Sequence, residues 1–94
     1  MTQPQFEWDA DKAAKNVRKH QVSFDEAATT FEDPRRIAFV DEGHSDDEER
    51  YITIGASNRG RLLVIAHTDR QGRIRIISAR GATRKEARFY AEAE

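Results

Sequence analysis

RYITIGASNRGRLLVIAHTDRQGRIRIISAR, residues 50–80, holds three runs rich in Ile, Val, Tyr and Thr, broken twice by glycine-containing turns. Runs of this kind predict strands at Arg50–Ala56, Arg61–Asp69 and Arg73–Arg80. Asn58-Arg59-Gly60 and Gln71-Gly72 supply the turns between them. With Arg59-Gly60 and Gln71-Gly72 taken as two-residue hairpin loops, pairing follows by counting. Leu63 then lies opposite Arg80, and His67 lies opposite both Ile76 and Ile52. That register gathers Ile52, Ile54, Leu63 and Ile65 on one face, together with Arg61, His67 and Arg80. Tyr51, Thr53, Val64 and Ala79 go to the other. Both faces of the middle strand are apolar, so each needs a cover.

The flanking sequence supplies it. QFEW reads as a short first strand, and Asp9 caps a helix over Ala10–His20 whose thin apolar stripe is Ala10, Ala13, Ala14 and Val17. His20 near its end is a favourable partner for the helix dipole. Ser23 and Glu26 have capping-box spacing for a second helix over Val22–Phe31, which Pro34 stops. RIAFVD then reads as a strand, and the acidic DEGHSDDEE as a mobile loop. Thr83 and Glu86 repeat the capping spacing ahead of a last helix that ends near Ala91. The expected fold is α+β: a four-stranded antiparallel central sheet, two N-terminal helices and a C-terminal helix, all in one domain over residues 1–94.

Charge is unevenly placed. Residues 1–50 carry 13 acids against 7 bases, and residues 51–94 carry 4 against 9, for an overall −1. Twelve of the 16 bases are Arg, whose planar fork suits phosphate. The expected register collects Arg59, Arg61, Arg80 and Arg84 at the Asn58–Gly60 end, beside the amino terminus of the last helix. No acid in the sequence is an evident partner for them, so this corner is a candidate phosphate site. Arg70 and Arg73 fall at the opposite end, near the acidic loop.

Other chemistries find little support. There is no cysteine, hence no disulfide or thiolate chemistry. His20, His44 and His67 lack the spacing of a zinc site, and the acidic loop lacks the ligand order of an EF-hand. Neither a nucleophile elbow nor a phosphate-cradling glycine loop is present. No apolar segment is long enough to span a membrane, and the N-terminus lacks signal-peptide features, so a cytoplasmic protein is expected. Metal-free RNA cleavage by 2′-OH attack asks only for proton transfer and cations on the phosphorane. Arg61 and Arg80 could stabilise that charge, with Tyr90 and His67 available for proton transfer. Trp8 reads as core, with base stacking as the alternative.

FEWDADKAAKNVRKHQVSFDEAATTFED, ERYITIG, GRLLVIAHT and RIRIISARGATRKEARFY together resemble BrnT, the toxin of a bacterial type II toxin–antitoxin pair. The resemblance runs from Phe6 to about Tyr90. It implies a RelE-like fold, metal-independent endoribonuclease activity that halts translation, and no cofactor. It also implies a BrnA-like ribbon-helix-helix antitoxin, through which alone the complex would bind operator DNA. Arg61 in GRLLV, Arg80 in ISARG and Tyr90 in EARFY match the catalytic pattern of RelE-type toxins in context, whereas His67 has no such support. Arg59, Arg84 and Arg88 would contact RNA, although Ala87 stands where the family often has another arginine. A non-catalytic protein whose basic surface serves only antitoxin and operator is the alternative.

Overall fold

A computed structural model describes residues 4–44 and 48–93. The centre of the acidic loop, residues 45–47, and the expectation of its mobility lie outside them. The chain runs β1 (Gln5–Glu7), α1 (Ala10–His20), α2 (Phe24–Thr29), a 3-10 turn at Thr30–Glu32, then β2 (Ile37–Val40). A second 3-10 turn at Glu42–His44 leads to β3 (Arg50–Ala56), β4 (Leu62–Arg70), β5 (Arg73–Gly81) and α3 (Arg84–Glu92). Strand order in the sheet is β1-β5-β4-β3-β2.

Among the described residues the sheet therefore has five strands, not four, and it is mixed. Although β1 is only three residues long, it pairs parallel to β5 through Gln5–Arg73, Phe6–Ile74 and Glu7–Arg75. Three residues are too few to show alternation, so the sequence could not reveal where they dock. Side chains fix the place: Glu7 lies 3.1 Å from Arg75 and 3.7 Å from Arg73, and Phe6 packs on Phe31.

Register differs from the expectation at two points. Ser57 N–H bonds the Arg61 carbonyl, leaving a three-residue loop, Asn58-Arg59-Gly60, with Gly60 at φ 79°. A glycine in the left-handed region after two turn residues gives a three-residue hairpin loop with a bulge, one residue longer than the loop assumed. Ile52 consequently pairs with Ala66, and Tyr51 with His67. At the other hairpin Gln71 and Gly72 both have positive φ, as the two-residue loop requires. His67 does face Ile76 there, but a bulge between Ala66 and His67 shifts the next pairs, placing Arg80 opposite Val64. A one-residue slip moves side chains to the other face. Thr53 and Ala79 thus share a face with Leu63 and Ile65, while Ile54 and Arg80 go with Val64.

Each face is covered. Val22, Phe24 and Ala27, at and before α2, meet Leu63, Ile65, Ile76 and Ala79 in the main core, and Trp8 sets its ring edge-on to Phe24. On α1 the inward stripe is Ala13, Asn16 and His20, displaced from the expected one: Val17 is 45% exposed, whereas Asn16 is buried. The polar Asn16 goes inward because all its hydrogen-bonding groups in use find backbone partners there. Against the opposite face lies α3, with Phe89 edge-on to Phe39 of β2. No helix among the described residues is long and apolar enough to cross a membrane.

Candidate functional site

The loop end of the sheet and the start of α3 do come together, through the Ala82 amide on the Leu62 carbonyl. Arg59, Arg61, Arg80 and Arg84 all belong to that end. The arginines of the first three are nonetheless not free of acids, contrary to the expectation.

Arg61 engages Glu26. Its Nε donates to Oε2 at 2.9 Å, its Nη2 donates to Oε1, and the same Nη2 reaches the Gln21 carbonyl. Ser57 donates to Glu26 as well, at 2.7 Å, and Arg59 stands 3.7 Å away. Glu26 is buried, 6% exposed, at the third position of α2. Ser23 caps the Glu26 amide as predicted, but the carboxylate does not return to complete the box, because Arg61 takes it. That bond, Arg61 above all, holds the Glu26 carboxyl below its ordinary value despite the cost of burial.

Arg80 engages Glu86 with both Nη atoms at 2.8 Å, the bidentate geometry of a strong guanidinium–carboxylate pair. Here the capping box is complete, since Glu86 also accepts from the Thr83 amide while Thr83 accepts from the Glu86 amide. One carboxylate thus ties the end of β5 to the first turn of α3. Arg80 belongs to the α3 side of the sheet, whereas Arg61 bonds the α2 side, so the two guanidiniums address opposite faces of one corner.

Tyr90, two turns into α3, donates to Asp33 Oδ2 at 2.6 Å. Asp33 also accepts from the amides of Ala56 and Arg35. Burial opposes ionisation of Asp33, but these bonds outweigh it and its carboxyl sits below the ordinary range. The same bond raises the Tyr90 hydroxyl, which stays protonated at neutral pH. Beside Asp33 a hollow of about 230 Å³ opens between Thr29, Glu32, Ala56 and Asn58.

His67 lies elsewhere. It is six residues along β4 from Arg61, about 20 Å at strand rise, and only 6% exposed. Its ring is edge-on to Phe31 and stacked on Tyr51, with Nε2 bonded to Thr53 at 2.8 Å. Burial pushes its pKa down to about 4, so it is neutral at pH 7. Arg84 and Arg88 are exposed on α3 with no ion pair among the described residues. At the far end Arg70 bonds Glu48 at 3.1 Å, so the acidic loop does neutralise that arginine. No group of three or more His, Asp or Glu among the described residues is placed to hold a metal ion.

Glu26, Asp33 and Glu86 are the site's unforeseen members. Two of them carried a signal: each sits three residues after a capping Ser or Thr, where a carboxylate points back toward the preceding chain. In both helices an arginine from the sheet end meets it. The Arg80–Glu86 pair makes stability pH-dependent. Arg80 depresses the Glu86 pKa from 4.5 to about 2. Its contribution is therefore fully present above about 4.5 and lost as pH falls through about 2. Thermal melts of wild type and Glu86→Gln across acid pH check this: the wild-type advantage shrinks on acidification, and a constant gap would contradict it.

Residues 8–86 match the family model described as "Ribonuclease toxin, BrnT, of type II toxin-antitoxin system". The fold is similar to that of the Brucella abortus ribonuclease toxin BrnT, known from a crystal structure at 1.1 Å. The TM-score is 0.66, with 19% identity, covering 87% of this chain and 100% of that one. At such identity the likeness is one of fold. Among curated protein sequences none matches.

Proposed function

Since the chain belongs to the BrnT family of ribonuclease toxins of type II toxin–antitoxin systems, we propose that it is a metal-independent endoribonuclease acting at the β5–α3 corner. It inhibits translation in the cytoplasm and is neutralised by a BrnA-like ribbon-helix-helix antitoxin, whose complex with it binds operator DNA. The observation that carries the site is the bidentate hold of Glu86 on Arg80 at the amino end of α3. A guanidinium fixed in direction before substrate arrives needs no reorganisation as phosphorane charge develops. Arg61 is oriented in the same manner by Glu26, and Arg59, Arg84 and Arg88 add charge for the RNA backbone.

In the reaction the ribose 2′-oxygen gives up its proton to solvent water as it attacks the adjacent phosphorus, and the bond from phosphorus to the 5′-oxygen breaks. Tyr90, protonated at neutral pH, supplies the proton to that leaving oxygen. Its bond to Asp33 must then be exchanged for one to RNA at the reacting step. His67, buried and neutral, takes no part in these steps. Products carry a 2′,3′-cyclic phosphate and a 5′-hydroxyl.

A labelled RNA incubated with purified protein in EDTA tests this. Cleavage leaving cyclic phosphate ends is the expected result; cleavage that appears only with added divalent metal would sink the mechanism. One observation favours the non-catalytic alternative, in which the basic surface serves antitoxin and operator alone: Arg61 and Arg80 each already pair with a carboxylate.

A further inference from the structure

Three of the chain's four lysines, Lys12, Lys15 and Lys19, lie on α1. They follow i, i+3, i+7 spacing, so they form one row along the helix. Each is one position before a residue of the inward stripe Ala13, Asn16 and His20, which places the row beside the helix–sheet seam. With Asn16 and His20 they line a groove of about 180 Å³ whose far wall is Ile77 and Ser78 of β5. All three are exposed, and no acid among the described residues pairs with them. This sets them apart from Arg59, Arg61, Arg73, Arg75 and Arg80, each of which has a carboxylate within 4 Å.

The groove exists because two features coincide. β1 pairs with β5 no further than Arg75, so beyond it the edge of β5 is open to α1. The bulge at Ala66/His67 makes Ile77 an extra residue without a cross-strand partner, and it remains half-buried in the groove wall. The row spans about 10 Å at helical rise. It also lies close to the proposed catalytic corner: Ser78 is two residues from Arg80, about 7 Å along the strand.

We infer that the α1–β5 groove binds the phosphate backbone of single-stranded RNA flanking the scissile bond, with Lys12, Lys15 and Lys19 as the phosphate contacts and Ile77 as an apolar surface for a sugar or base. This rests on the reading of the chain as an RNA-cleaving protein. Lysines suit the task because a flexible point charge follows a backbone of varying geometry, whereas the guanidinium fork suits one fixed phosphate.

The test compares wild type with the triple variant Lys12→Gln, Lys15→Gln, Lys19→Gln, which keeps helix propensity nearly unchanged. The probe is a fluorescent single-stranded 2′-O-methyl RNA, which cannot be cleaved, titrated over a salt series. Losing three phosphate contacts makes the slope of log K against log salt shallower by about 2, and weakens binding by about 10- to 100-fold at 0.1 M salt. Cleavage of unmodified RNA should show KM raised and kcat kept. An unchanged slope with normal wild-type cleavage overturns the groove and leaves the ribonuclease reading standing. Wild type that neither binds nor cleaves RNA overturns both. A variant that binds RNA normally but loses affinity for poly-glutamate assigns the row to an acidic protein partner instead, and also overturns the inference.

Discussion

Arg80→Ala lowers RNA cleavage by about 10²–10³-fold, the usual effect of removing one preorganised donor from a site of developing charge. The fold survives the change. Glu86 keeps its bond to the Thr83 amide, so the α3 cap remains when the guanidinium is gone. The pair itself is partly exposed, at 41% for the Arg80 side chain and 28% for Glu86, so its net worth to stability is modest. Glu86→Gln is the informative partner variant. Glutamine can still close the capping box, but it cannot hold Arg80 by charge, so cleavage falls by less than in Arg80→Ala. Arg80→Lys keeps the charge without the two-pronged geometry and rescues poorly. Measured rates and antitoxin binding on the same four proteins separate the readings. Lost cleavage with retained binding supports a catalytic Arg80. Unchanged cleavage places the chemistry elsewhere, and lost antitoxin binding with cleavage intact favours the docking reading.

The elements were legible in the sequence; their relative register was not. Asp9, Ser23 and Thr83 each cap the helix expected of them, and the bounds of α1 and β3 agree residue for residue with the reading. Those signals are local, since a cap needs only its own turn. Register depends on loop geometry, where Asn58-Arg59-Gly60 fits a two- or a three-residue loop equally well as a string. The bulge near His67 alone moved Arg80 to the face opposite Arg61, while the extra loop residue shifted β3 against β4. The shared end of the sheet was visible, but the shared face was not. The acid partners stayed hidden for a different reason. Glu26 and Glu86 had a sufficient local explanation as capping residues, and only the fold brings Arg61 and Arg80 to them. The lysines of α1 carry no signal of their own in the string, and only the open edge of β5 gives their row a wall.

Asn16→Ala shows how much the same open edge costs to protect. Past the end of β1, the Ala79 peptide groups have no strand to pair with, and the Asn16 amide stands in for one. Its Oδ1 accepts from Ala79 N–H at 3.1 Å, while its Nδ2 donates to the carbonyls of Ala79 at 2.8 Å and Val22 at 2.9 Å. Alanine would leave that donor and two acceptors in a buried place, and unsatisfied buried groups cost about 1–3 kcal/mol each before any relaxation. With water reaching part of the gap, a net loss of about 3 kcal/mol is expected, which lowers Tm by about 12–24 °C in a domain of this size. Intrinsic preference runs the other way, because alanine is the better helix former by several tenths of a kcal/mol. The sign of the result is therefore decisive. A drop in Tm shows that the amide secures the β5 edge; a rise shows that solvent satisfies those groups and that only propensity remains. Asn16→Leu separates polarity from volume. It refills the site with apolar atoms yet bonds nothing, so it should be about as unstable as alanine, and recovery of wild-type stability would mean that packing, not hydrogen bonding, holds α1 against β5.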